Sequence, residues 1–133
     1  MNQARRKSLQ KARDDIQRAV NLIGAFIESK DTDTYPEPNP AFDRVPVITL
    51  ITNAMGIVEE AKDEEQDYFD NMPESSQNGD KGEAAEEAIS YMEESAQALD
   101  NAMDEIKAED ADLDLEVVDD ALNEAIEHLD NIL

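Results

Sequence analysis

Cysteine is absent from the 133 residues, which excludes disulfides, thiolate nucleophiles and Cys-based zinc or iron–sulfur sites. Tryptophan is also absent, and Phe and Tyr together make up only 5% of the chain. A core must therefore be assembled from Ala, Ile, Leu, Val and Met, which suits helix packed on helix better than a sheet sandwich. No run approaches the ~18 apolar residues of a membrane span. Arg5, Arg6 and Lys7 are not followed by an apolar stretch, because Asp14, Asp15, Gln17 and Arg18 interrupt it. That pattern excludes an ordinary signal peptide and predicts a cytoplasmic protein. Histidine occurs once, at His128, with no second ligand and no thiol to serve. Di-iron bundles repeat a Glu-x-x-His pair, whereas Glu124 and His128 are four apart and form the sole such pairing. Near the end of a helix this imidazole reads as a partner for the helix dipole. The sequence implies no cofactor and no metal, and predicts a protein that is not an enzyme.

Cations are the other scarcity. Residues 1–30 carry seven Lys/Arg against three Asp/Glu, a net of +4, whereas residues 31–133 carry four against 31, a net of −27. A body with this charge repels nucleic acid and anionic membrane, and its compact state opposes itself. It needs a basic partner, a salty solvent or an internal basic segment. Arg5, Arg6, Lys7, Lys11, Arg13 and Arg18 have the chemistry to bind phosphates. The net of −24 over residues 59–133 competes for them, which predicts no direct nucleic-acid binding. The basic half is expected to lie against acidic faces of its own bundle or of a second copy. Cations at a helix start also oppose the dipole, so something else must favour them there.

What the chain does have is a regular 3-4 spacing of apolar residues. Leu9, Ala12, Ile16, Ala19, Ile23 and Phe26, widened by Val20 and Ile27, predict a basic amphipathic helix over 1–30. Four prolines between 31 and 46 predict a non-helical connector. A second helix is expected over 47–72, with Leu50, Ile51, Ala54, Ile57, Val58, Ala61, Tyr68, Phe69 and Met72 inward and Pro73 as the stop. Residues 75–82 read as a turn. Ala85, Ile89, Met92, Ala96, Leu99, Met103 and Ile106 form a strict seam for a helix over 83–109. Leu115, Val118, Leu122, Ala125, Leu129 and Ile132 do the same over 115–132. The predicted fold is a single all-α domain, an amphipathic bundle of about four helices with coiled-coil-like seams, which permit either a monomer or a homodimer.

The layout also resembles a group of short acidic helical proteins encoded by phages and prophages. The resemblance rests on the basic start Arg5-Arg6-Lys7 with Leu9-Gln10, an acidic helix ending in Asp70-Asn71-Met72-Pro73-Glu74-Ser75, a turn, and a second acidic helix. It covers the first helix and residues 58–106, and departs over 31–55 and in the C-terminal helix. It implies a mobile-element origin and the host cytosol, and carries no catalytic residues.

Asp110, Asp112, Asp114 and Glu116 imitate the start of a calcium loop. An EF-hand loop needs Gly at its sixth position and a bidentate Glu at its twelfth, where this chain has Leu115 and Ala121. Asp112 or Asp114 is expected instead to cap the last helix. Adjacent carboxylates such as Glu59-Glu60, Glu64-Glu65, Glu86-Glu87, Glu93-Glu94 and Asp119-Asp120 are expected to point into water together and so to lack the divided environments that acid–base chemistry needs. Off the seams lie Glu83, Glu86, Glu87, Glu93, Glu94, Asp100 and Asp104 in the third predicted helix, and Glu116, Asp119, Asp120, Glu124 and Glu127 in the fourth. Helix neighbours three or four apart are spaced ~5–6 Å, on the scale of phosphates along a strand. These rows mark an expected surface for a basic, nucleic-acid-binding host protein, against the plainer reading of a solvated or salt-adapted face. Tyr68, Phe69 and Met72 are an alternative partner anchor, and self-assembling seams would make a scaffold. Excess Ca²⁺ should give only diffuse screening in calorimetry. A saturable one-site isotherm lost on Asp110→Ala and Asp112→Ala would show that a calcium loop exists.

Overall fold

A computed structural model describes residues 1–31, 42–109 and 113–133, and every described element is helical. In chain order these are α1 (Gln3–Asp31), α2 (Val45–Asp70), a single turn α3 (Glu74–Gln77), α4 (Asp80–Ile106) and α5 (Leu115–Asp130). α1 packs on α2 and α5, and α4 packs on the same two, so the four long helices close into a ring with α1 diagonal to α4. Neighbours run antiparallel. Arg5 at the start of α1 meets Glu65 near the end of α2, Arg13 meets Asp130 at the end of α5, and Ser95 of α4 meets Ala125 of α5.

The 3-4 seams supply the core. Leu9, Ala12, Ile16, Ala19 and Ile23 of α1 are fully buried, as are Ile51, Ala54 and Val58 of α2 and Val118, Leu122, Ala125 and Leu129 of α5. Each large aliphatic side chain removed from water contributes roughly 1.5–3 kcal/mol. α4 buries a wider stripe than its seam, adding Ala88, Ser95, Ala98 and Ala102, because it faces two neighbours. Small side chains there let α5 approach, and the Ser95 hydroxyl donates to the Ala125 carbonyl at 3.1 Å. Ala96 and Ile57, expected inside, are half-buried, and Tyr68 is exposed at 41%.

The boundaries depart from the sequence reading in three places. Helix α2 begins at Val45, so Pro46, assigned above to a non-helical connector, stands in its first turn. Proline is tolerated there because its missing N–H belongs to the amides that lack an intrahelical acceptor anyway. The rest of that connector, 32–41 with Tyr35, lies outside the described residues, but Phe42 docks on the bundle with its ring 5.0 Å from that of Phe26. Within the predicted turn over 75–82, residues 75–77 belong to α3 and α4 already begins at Asp80, ahead of the expected 83; α4 stops at Ile106, before the expected 109. The last helix is capped as expected: Asp114 Oδ1 accepts the Glu116 amide at 3.0 Å and the Val117 amide at 3.4 Å. Asp110 and Asp112 lie outside the described residues.

α3 works as a wedge between α2 and α4. The Gln77 side-chain amide donates to the Phe69 carbonyl at 3.0 Å, and the Gln77 backbone presses on the first turn of α4. A Cβ at Gly82 would lie 2.0 Å from the Gln77 carbonyl oxygen and 2.5 Å from its Cα. Ordinary helix propensity favours Ala over Gly by about 1 kcal/mol, and this contact reverses the sign. Gly82→Ala should lower the melting temperature, whereas Gly56→Ala, where an added Cβ meets nothing within 4 Å, should hold or raise it. Thermal melts by circular dichroism separate the two.

Candidate functional site

The basic residues come first, because they decide which acids remain available. Arg5 Nε donates to Glu65 Oε2 at 2.8 Å, and the Met1 ammonium lies 3.8 Å from Oε1. Arg6 donates to the Ile132 carbonyl at 2.9 Å and Arg13 Nε to Asp130 Oδ1 at 2.5 Å. Lys11 and Arg18 flank the buried Asp15 on their own helix, at 3.2 and 3.9 Å. The antiparallel ring thus brings the start of α1 to the C-terminal ends of α2 and α5, where exposed carbonyls and acids favour cations. This resolves the adverse placement of Arg5 and Arg6 in their own helix. At the opposite end Arg44 donates to the Ile106 carbonyl at 3.1 Å, and to that of Ala108, closing the C-terminus of α4.

With the cations so engaged, the outer faces are acidic. Of the residues singled out by the sequence, Glu83, Glu86, Glu87, Glu93, Glu94, Asp100 and Asp104 on α4 are exposed, as are Glu116, Asp120, Glu124 and Glu127 on α5. Among the described residues, none of Glu83, Glu86, Glu87, Glu93, Asp100 and Asp104 is in a salt bridge. Glu94 is tied to α5, with its Oε2 3.1 Å from His128 Nδ1, and Glu124 Oε1 is 3.6 Å from Nε2. His128 therefore sits between two carboxylates of neighbouring helices, a role its position alone did not reveal. The Nδ1 contact is close but not directed as a hydrogen bond.

That contact also marks the side of α4 that faces α5. At about 100° per residue, Glu87 shares this shoulder, while Glu86, Glu93, Asp100 and Asp104 lie on the other, toward α2. The groove shared by Ser8, Ile57, Glu60, Ala61 and Glu64 marks the α1 side of α2 in the same way. It leaves Glu59, Asp63 and Asp70 on the shoulder of α2 toward α4, all exposed. Carboxylates thus flank both edges of the α2–α4 groove. The sequence reading paired α4 with α5 and left α2 out; the signal was the 4-and-7 spacing of 59, 63 and 70, which becomes meaningful only once α2 is known to adjoin α4.

On α5, Glu116, Asp119 and Asp120 turn toward α1 and line a groove of about 470 Å³ with Gly24, Ile27 and Glu28. Asp119 is half-buried, and its pKa is raised above the ordinary carboxylate value, chiefly by burial and further by the charge of Asp120. Among the described residues no group of three or more His, Asp or Glu is arranged to hold a metal ion. Of the aromatic anchor, Tyr68 is exposed and its ring stands 5.7 Å from the Arg5 guanidinium, while Phe69 and Met72 are half-buried at the end of α2. No described helix is long and apolar enough to cross a membrane. The chain matches no protein-family model, no curated protein and no solved structure.

A raised folded-state pKa means that folding favours protonated Asp119. Its stabilising share is complete at pH below the unfolded carboxylate value and is lost as pH rises through the folded one. Ionised Asp119 therefore opposes folding at neutral pH. Asp119→Asn should raise the melting temperature at pH 7, and the gain should vanish at about pH 3, where the carboxylates are largely protonated. Paired melts at the two pH values check the sign.

Proposed function

We propose that the protein is a non-enzymatic acidic binder of phage type, which occupies the basic nucleic-acid groove of a host defence protein by imitating phosphate charge. The observation that carries this reading is the pair of carboxylate rows, Glu86, Glu93, Asp100 and Asp104 on α4 beside Glu59, Asp63 and Asp70 on α2. None of them is in a salt bridge among the described residues, although Lys62 lies on the same side of α2. Adjacent helix axes lie roughly 8–10 Å apart, so two rows of anions run side by side on a rigid frame. Glu83, Glu87 and Glu94, with Glu116, Asp120, Glu124 and Glu127 of α5, extend the anionic surface around the bundle. The internal use of Arg5, Arg6 and Arg13 favours the same reading, because these three cations are spent on closing the ring and are withheld from the outer faces. The resemblance to phage-borne acidic proteins supplies the biological setting. A scaffold that pools its seams between copies is less favoured, since Leu9, Ile16, Leu99, Leu122 and Leu129 are already fully buried within one chain.

Steering by such a surface gives fast, salt-sensitive association. Capture of a partner from host lysate should weaken steeply as salt rises, because exposed charges are screened within ~8 Å at physiological ionic strength. DNA should compete for that partner. Reversing Glu86, Glu93 and Asp100 to Lys should reduce binding at least tenfold while the melting temperature holds or rises. The aromatic anchor gives the opposite pattern: Phe69→Ala abolishes binding, the reversals do little, and DNA does not compete. A partner retained at high salt and indifferent to DNA excludes phosphate mimicry.

A further inference from the structure

The proposed binding surface leaves one buried group unused. Glu65 is completely buried, and its position in α2 is a seam position: Val47, Ile51, Ala54, Val58, Ala61 and Glu65 step by 4, 3, 4, 3 and 4. Arg5 holds the matching place in α1, one step before Leu9, and its side chain is 13% exposed. Each of the two apolar seams therefore ends on a charge, and the two charges meet at 2.8 Å. The other carboxylate oxygen, Oε1, accepts no hydrogen bond.

The seams themselves discriminate poorly between registers. In α1, Leu9, Ile16 and Ile23 repeat every seven residues, with Ala12 and Ala19 between them. In α2, Ile51 and Val58 recur at the same interval, and so do Ala54 and Ala61. With Arg5 opposite Glu65, the antiparallel seams set Leu9 against Ala61, Ala12 against Val58 and Ile16 against Ala54. Sliding α1 along α2 by seven residues, about 10.5 Å, lays large residues against Ala once more. A slide one way sets Glu65 opposite Ala12 and strands its carboxylate in an apolar seam, and a slide the other way sets the Arg5 guanidinium opposite Val58; either arrangement is costly. The Arg13–Asp130 pair on the other flank of α1 is partly open to solvent, and pairs of that kind resist sliding weakly.

We propose that the Arg5–Glu65 pair is a register lock, which selects one antiparallel alignment of α1 on α2 from a set that apolar packing leaves nearly equivalent. A polar residue at a seam position fixing alignment is a known device of coiled coils. Here it is built from both partners and placed at one end. The lock acts through the uniqueness of the fold, independently of any partner.

The chain has no cysteine, so introduced pairs report register cleanly. Ser8→Cys with Glu60→Cys, two exposed residues of one groove, reads the native alignment through a short thiol crosslinker. Ser8→Cys with Asn53→Cys, or with Asp67→Cys, reads a slide of one heptad either way. In the otherwise unaltered chain only the Glu60 pair should crosslink. Arg5→Leu alone should lower the melting temperature by about 10 °C or more, because it leaves a buried carboxylate with no hydrogen-bonded partner and only the Met1 ammonium, 3.8 Å away, to offset its charge. Arg5→Leu with Glu65→Leu should recover most of that loss and should now crosslink through position 53 or 67 as well. A double variant that melts like the parent and crosslinks only through position 60 would overturn the lock. Loss of helical signal in the double variant would overturn it too, since the pair would then carry packing rather than alignment.

Discussion

The ring closes around the meeting of helix ends of opposite sign. α1 carries its cations in its first turns, the wrong end for its own dipole, yet it runs antiparallel to both neighbours. Arg5, Arg6 and Arg13 consequently lie where α2 and α5 finish, beside Glu65, the Ile132 carbonyl and Asp130. Without that helix, α2, α4 and α5 would gather three acidic outer faces around a shared core, with little to offset their mutual repulsion. The basic segment is a structural counter-ion, built into the wall of the bundle.

The same arrangement explains why so much negative charge remains outside. A cation committed to a helix C-terminus or to a seam is unavailable to the outer faces, and beyond residue 30 only four Lys/Arg remain. Arg44 is in turn committed to the C-terminus of α4. The apolar side keeps pace by being narrow and well spaced: Ala on α4 and α5 lets those helices approach, and Leu, Ile and Val fill the seam. Core and surface are separated residue by residue along each helix, so acids can be packed on the outside at little cost to the inside.

Most of the fold was legible because helices write their burial into a 3-4 spacing. Leu9 through Ile23, Ala85 through Ile106 apart from half-buried Ala96, and Val118 through Leu129 are inward as the periodicity says. Reading by residue type rather than by position is what concealed Glu65: the spacing puts it in the seam, and the chemistry of glutamate argues that it should not be there. Only the antiparallel return of Arg5, sixty residues away, makes the position tenable. Gly82 and α3 were hidden for a related reason, since a run of Ser, Gln, Asn and Gly looks like a turn whether or not one of its carbonyls presses on the next helix. The acidic residues of the candidate surface were readable one by one. Their grouping was not, because neighbourhood between α2 and α4 is a property of ring order that no single helix contains.

The two ends of the bundle are held by different physics. At one end the fastenings are charged, through Arg5, Arg6 and Arg13; at the other, where Arg44 closes α4, the Phe26 and Phe42 rings also meet at a tilt with centroids 5.0 Å apart. Exposed ion pairs weaken with salt, whereas apolar contacts strengthen with excluded salts and weaken on cooling. Rising ionic strength therefore loosens the Arg13–Asp130 pair while sparing the buried Arg5–Glu65 pair beside it, and cold loosens the aromatic contact where α1 finishes, so the two stresses pick at different corners of one bundle.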